Sequence, residues 1–368
     1  MLSIGYLVTE NKPDSSFRST YAYQNVTYLV AGEIIKAITD TTWDDFVTQH
    51  IFEPLGMQRT TTKLSDLNRL QNYAIPHAWI NGRIQSIPYR NHENVGAAAA
   101  VNSSVWDWAQ YVQMFLNQGE YHGRTIISPQ RVKELWTPQT IIPVEPLQPA
   151  LQKLTPMLNA YGMGWFISDY CGHLIIAHSG GVDGMRTQMS IVPEKMMGFV
   201  IFTNIEPGYA LSALYYSVLD QILGLEETPW SDIYAKIQTE SFQKKADLLN
   251  ERRQSRKENT TTSLALNHYC GDYHDPKTGL ISVYQTGNKL RLSFEHSKCF
   301  HAELRHWHQD TFEIVWDDTY IPVGLLTFMI NHDGIPDRIQ LDQPNLLDVD
   351  FTELEIVRFH QKFGRQES

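Results

Sequence analysis

The sequence predicts an α+β fold, an antiparallel sheet flanked by helices, with a small all-β domain after it. Three observations carry this. The first part of the chain holds segments whose apolar residues recur at helical spacing. After Pro156 the pattern changes to short β-rich runs broken by turn residues. Beyond a polar connector, only short strands follow. Helices, then strands, then a helix is the order of an α+β domain with a mostly antiparallel sheet.

The elements follow in order. "VTYLVAGEIIKAITD" predicts a helix over 26–40. "TTWDDFVTQHIFEPLGM" predicts a second, capped by Thr41 or Thr42, with Asp44 and Asp45 in its first turn and "PLG" as its stop. "SSVWDWAQYVQMFLNQG" predicts an amphipathic helix ending at Gly119. "SPQRVKELWTP" predicts a shorter one, with Ser128 as cap and Pro129 at its first position. "YGMGWFIS", "HLIIAHS", "MRTQMSIVP" and "MMGFVIFTN" form an antiparallel meander. "ALSALYYSVLDQILG" closes the region as a helix. The expected domains are 1–225, a helical and polar connector over 226–262, and a β domain over 263–368. That last part, with turns such as "TGN", "WDD" and "HDG", reads as a small sandwich or barrel.

Composition bounds the function. The 368 residues are 42% hydrophobic and 19% charged, an ordinary globular mix, with a formal net charge of −11 spread along the chain. That balance argues against a nucleic-acid or anionic-membrane partner. No apolar run reaches membrane-spanning length, and "MLSIGYLV" lacks the flanks of a secretory signal. Cys171, Cys270 and Cys299 match neither a zinc site nor a disulfide framework. His301, His306 and His308 offer no third metal ligand at useful spacing. Trp106, Trp108 and Tyr111, at near-helical spacing, are expected in the core.

In "AHSGGVDGMRTQM", His178, Ser179, Gly180 and Gly181 end one strand shortly before the next begins, and glycine there lets a backbone or ligand come close. "FRSTYAYQNVTYLVAGEII", "IFEPLGMQRT", "AVNSSVWDWAQYVQMFLNQG", "YGMGWF" and "AHSGGVDGM…VPEKMMGFVIFTN" occur in one order. Together, over about residues 2 to 224, they resemble the class C β-lactamases, penicillin-binding-protein-like peptidases and related esterases. The strands after the connector resemble the lipocalin-like C-terminal domain of some members.

The resemblance implies acyl transfer through a serine on an amide or ester, acting on a small molecule or peptide, with no metal or organic cofactor. A Ser-x-x-Lys motif supplies nucleophile and lysine, Tyr-x-Asn a proton shuttle and an orienter, and Lys/His-x-Gly the facing wall. The chemical need is general: a weak hydroxyl nucleophile requires a base, and its oxyanion requires donors. Carried over, Tyr23 is the shuttle, Asn25 the orienter, and His178 with Ser179, Gly180 and Gly181 the substrate-side wall. Asn102 and Ser103, in a loop that borders the site in relatives, are cleft-lining candidates, with a helix cap at Ser103 or Ser104 as the plainer role. Histidine in place of lysine at 178 points to the esterase and peptidase branches. Relatives are often exported, so the compartment stays open, as do the exact substrate and oligomeric state.

The nucleophile motif itself is not found before Tyr23, where only 22 residues stand. "SFQK" (Ser241–Lys244) falls in the charged connector, and "KTG" (Lys277–Gly279) reads as a turn opening the β domain. Ser179 lacks the Gly-x-Ser-x-Gly elbow of a nucleophile. The expectation is a truncated version of a longer hydrolase with little or no turnover. In that case the apolar faces of "HLIIA" and "GFVIFTN" lose a partner and a sheet edge is left open. The rival expectation is a binding protein that uses its β domain, and a third is a hydrolase completed in trans by an upstream segment.

Overall fold

The computed structural model describes residues 15–16, 19–69, 72–276, 278–343 and 356–358. The chain folds into two compact units, with the break after Glu240, inside the helix Trp230–Gln254. Lys277 of the "KTG" look-alike and the apolar start "MLSIGYLV" lie outside the described residues.

In the first unit the helix Asn25–Thr39 ends on Asp40, which adopts the left-handed conformation. Thr42 caps Trp43–Val47 by accepting the Asp45 N–H. A π-helical turn over Thr48–Phe52 and a short helix Glu53–Leu55 continue it, and Gly56, at φ 70°, terminates it. The hairpin β1 (His77–Ile80) and β2 (Arg83–Ser86) turns at Asn81-Gly82, both at positive φ. Ser104 caps the helix Val105–Leu116, and Ser128 caps Pro129–Leu135. Strands β3 (Glu120–Tyr121) and β4 (Arg124–Thr125) form a small hairpin between those helices.

The main sheet has six antiparallel strands in the order β10-β9-β8-β7-β6-β5. They are β5 (Thr140–Ile141), β6 (Asn159–Tyr161), β7 (Phe166–Tyr170), β8 (His173–Val182), β9 (Met185–Val192) and β10 (Met197–Thr203). Their alternation fills two cores. Ile167, Ile176, Met189 and Ile191 pack with Val112, Met114, Phe115 and Trp165 on one face. Ile175, Ala177 and Val192 pack with Leu219, Leu223 and Trp230 on the other, under the helix Tyr209–Leu223. Ile175, Ile176 and Ala177 are buried between helices on both faces, so the expected exposure of "HLIIA" does not occur at these three, while Leu174 is 43% exposed. Strand β10 is different. None of its residues is buried, and it ends the sheet, with no further strand beside it among the described residues.

Trp108 and Tyr111 stack at 5.0 Å in the core as expected, but Trp106 is 75% exposed. Two residues along a helix turn the side chain by about 200°, so 106 and 108 face opposite ways.

Beneath the helix Tyr209–Leu223, the buried carboxylate of Asp220 accepts from Tyr170 (2.5 Å), Trp230 Nε1 (2.8 Å) and Lys153 Nζ (2.9 Å). Burial alone would raise its pKa, but these donors outweigh burial and hold it below the usual carboxylate range.

The second unit contains a closed eight-stranded antiparallel barrel, in which β11 pairs with β18. Its strands are β11 (Gly271–Asp275), β12 (Gly279–Thr286), β13 (Lys289–Phe294), β14 (Ser297–His308), β15 (Thr311–Trp316), β16 (Gly324–Ile330), β17 (Pro336–Asp342) and β18 (Ile356–Arg358). Tyr269, Tyr273, Phe294, Phe312, Trp316 and Phe328 fill it together with aliphatic side chains. His306 Nε2 donates to the Gln309 carbonyl at 3.0 Å, and His308 Nδ1 accepts the Lys257 N–H at 3.3 Å. Ser241–Lys244 lies on the helix Trp230–Gln254. The three cysteines are unpaired.

Replacing Asp220 by Ala leaves the Tyr170 hydroxyl and the Trp230 indole N–H without their acceptor and should cost about 3 kcal/mol of unfolding free energy in urea titrations. The Asp220 pKa is lower in the folded than in the unfolded state. Its contribution is therefore full above about pH 4, the unfolded value, and is lost as pH falls through the folded one; Asp220→Asn should flatten that acid limb. In the barrel, Leu292→Ala should cost about 2–5 kcal/mol by the same measurement.

Candidate active site

The sheet face that carries Ile176 also carries His178, two residues on along β8. There the sheet and the helical region enclose a cleft of about 1170 Å³. Tyr23, Asn25, Asn102, His178, Ser179, Gly180 and Gly181 all line it. The segments that meet are the extended stretch before the first helix, the loop ahead of Val105–Leu116, and the end of β8.

Tyr23 sits just before Gln24, whose extended backbone (φ −138°, ψ 110°) precedes the helix that Asn25 begins. The Tyr23 ring centroid is 6.1 Å from that of His178. Its hydroxyl makes no hydrogen bond among the described residues. Burial, and then the neighbouring Tyr28, raise its pKa above the ordinary tyrosine value. Asn102 is held by paired backbone bonds with Thr61 (2.8 and 2.9 Å), and its side-chain amide donates to the Ala100 carbonyl at 2.9 Å. Ser103 Oγ lies 2.7 Å from Thr60 Oγ1, which donates to the buried Asp107 carboxylate at 2.8 Å. The helix cap is Ser104.

His178 is enclosed by rings, with Phe166 at 5.3 Å and Tyr161 at 6.1 Å between centroids. Its Nδ1 lies 2.6 Å from the Ser179 carbonyl oxygen and its Nε2 lies 3.2 Å from the Tyr161 hydroxyl. Burial lowers its pKa, partly opposed by the Ser179 bond. The rim beyond it carries the ion pair Arg90–Asp183 at 2.6 Å and the pair Arg186–Glu206. His92 also lines the cleft, with its Nε2 buried and without a hydrogen-bond partner among the described residues. Among the described residues, no lysine lines the cleft and no group of three potential metal ligands occurs.

The Beta-lactamase family model matches residues 6–220, more than half of the chain. The chain belongs to the Beta-lactamase family. A second model, a domain of unknown function (DUF3471), matches residues 255–359. Among relatives of this Beta-lactamase-family chain, an unguisins hydrolase of Aspergillus violaceofuscus is 28% identical over 240 residues, covering 60% of this chain and 41% of the relative. Penicillin-binding protein 4 of Amycolatopsis lactamdurans is 21% identical over 209 residues, 55% of this chain and 51% of the other. The matches thus span about half of these relatives' length or less. An octameric penicillin-binding protein homologue from Pyrococcus abyssi shares the fold at TM-score 0.51 and 20% identity, over 94% of this chain and 66% of that one. No helix among the described residues is long and apolar enough to cross a membrane.

Sequence reasoning missed Tyr28, Arg90, His92, Asp183 and Arg186 as cleft residues, and Tyr161 as the hydrogen-bond partner of His178. A signal existed for Tyr161, since "YGMGW" stood out as a segment. Gly162, which follows it, approaches backbone: a Cβ there would press into the carbonyl oxygens of Leu135 and Thr137. Gly162→Ala should therefore destabilise the first unit by about 1–3 kcal/mol in thermal or urea unfolding, and should displace the neighbouring Tyr161 ring, read as altered near-UV circular dichroism.

Proposed function

We propose that the first unit is the proton-transfer and substrate-holding part of a serine hydrolase that performs acyl transfer on an amide or ester. Tyr23 acts as proton shuttle and Asn25 as orienter of the substrate amide. His178, Ser179, Gly180 and Gly181 form one wall, and Asn102 lines the cleft with them. One observation carries the reading: three stretches far apart in sequence converge on one cleft, where the ring centroids of Tyr23 and His178 lie 6.1 Å apart. The relatives named as a hydrolase and a penicillin-binding protein support the same class of chemistry.

The nucleophile and its lysine come, on this reading, from a Ser-x-x-Lys segment outside the described residues, supplied in cis or in trans. Three features support that. The cleft, at about 1170 Å³, exceeds the roughly 300–1,000 Å³ of ordinary small-molecule sites. Its lining includes Trp108, Tyr111, Phe115, Trp165 and Phe202, apolar surface suited to a packed segment. Strand β10 has no further strand paired beside it among the described residues. Without a cation beside it Tyr23 stays protonated; an ammonium within about 4–6 Å would favour its ionised form and fit it for proton transfer. Ligand binding inside the barrel finds no comparable support, because aromatic side chains fill that interior.

The test is labelling with a fluorophosphonate, adduct mapping by mass spectrometry, and turnover of a chromogenic ester. The 368-residue chain should give no stoichiometric adduct. Co-production with the polypeptide encoded upstream should give an adduct on that segment's serine. In that complex Tyr23→Phe should lower kcat/KM by about 10²–10⁴-fold. An adduct on Ser179, or full turnover by Tyr23→Phe, would sink the assignment.

A further inference from the structure

We propose that Tyr161 and Tyr28 are positioning residues that lock the His178 imidazole into one tautomer and one orientation through a directed chain of hydrogen bonds, Tyr28 to Tyr161 to His178 to Ser179. The inference takes the cleft as the site proposed above, but its test reads the imidazole directly and needs no turnover.

The direction of each bond follows from what each atom can do. The Ser179 carbonyl can only accept, so His178 Nδ1, 2.6 Å away, carries the hydrogen. A neutral imidazole then presents a bare Nε2, which must accept. The Tyr161 hydroxyl, at 3.2 Å, is therefore its donor. Having spent its only hydrogen, the Tyr161 oxygen accepts from Tyr28, at 3.0 Å. No alternative arrangement satisfies the neutral ring and the carbonyl together.

The ionisation states agree. Burial lowers His178, which keeps the ring neutral at pH 7. Burial raises Tyr161 far above the ordinary tyrosine value. Tyr161 thus stays a donor and does not serve as a base. Packing fixes the geometry: Phe166 lies 4.9 Å from Tyr161 and 5.3 Å from His178, nearly edge-on to the first, while Tyr23 meets the Tyr161 ring edge-on at 6.1 Å.

This assigns His178 a role. Both of its nitrogens are committed, so it serves as a wall that fixes the Ser179 carbonyl and the strand beyond it, and proton transfer is left to Tyr23. Tyr161 touches both side chains and sets the distance between them.

The test is nitrogen-15 histidine NMR on the full chain, with the His178 resonances assigned by their loss in His178→Gln. Wild type should show the Nδ1–H tautomer at pH 7 and titrate below the ordinary 6.5. Tyr161→Phe keeps the ring but removes the donor, and the tautomer ratio should fall roughly fivefold, the equivalent of one net hydrogen bond. Tyr28→Phe should move the Nε2 resonance in the same direction by a smaller amount, although Tyr28 does not touch His178. That relayed shift is the readout a merely structural tyrosine would not produce. A wild-type Nε2–H tautomer overturns the proposal, as do unmoved His178 resonances in a folded Tyr28→Phe protein. Tyr28 lies at the outer end of the chain, so its variant keeps the test decisive should Tyr161→Phe fail to fold.

Discussion

Strand β8 is hydrogen-bonded to β7 on one side and β9 on the other, and its side chains alternate between two cores. Ile175 and Ala177 anchor it against the helix Tyr209–Leu223, while Ile176 anchors it against the opposite layer. A slip of one residue would drive every one of these side chains to the wrong face. The register is therefore fixed by apolar burial well before the strand reaches its polar end. His178 and Gly180 inherit that register and face the cleft without needing contacts of their own to choose a side. The glycines that follow keep the far part of the strand thin, and Arg186 from the paired strand lies across Gly181.

The rim depends on a second, electrostatic layer. The β8–β9 turn is held by Arg90 through Asp183, and by Glu206, which bonds Arg186 and the Gly184 N–H. Backbone bonds from His77 to Gly184, and between Glu206 and the β1 strand, add to the clamp. Each cationic side chain here faces a carboxylate. The rim at the β8–β9 turn is thus closer to neutral than Arg90 and Arg186 alone would make it.

Local chemistry made much of this legible in the residues alone. Thr42 and Ser128 announce helix starts because a cap is a short-range hydrogen bond, and the meander announces itself through period-two burial. The seven cleft residues were legible by resemblance; their spacing alone does not single them out. What stayed hidden is long-range. Tyr28 and Tyr161 are 133 positions apart, and each reads in isolation as an ordinary half-buried aromatic. Arg90 and Asp183 are 93 apart. The expected exposure of "HLIIA" failed for a related reason: periodicity marks a face as apolar but does not say which helix will cover it. Trp106 failed because near-helical spacing ignored the half-turn that separates it from Trp108.

The backbone contact at Gly162 ties distant parts together. The Leu135 carbonyl, at the end of a helix, takes the Met163 N–H at 3.1 Å and leaves Gly162 no room for a side chain. The aromatic wall is thereby soldered to the last turn of that helix with no compliant side chain in between. Displacement of the helix end cannot be absorbed locally, and the imidazole, two rings away, would register it.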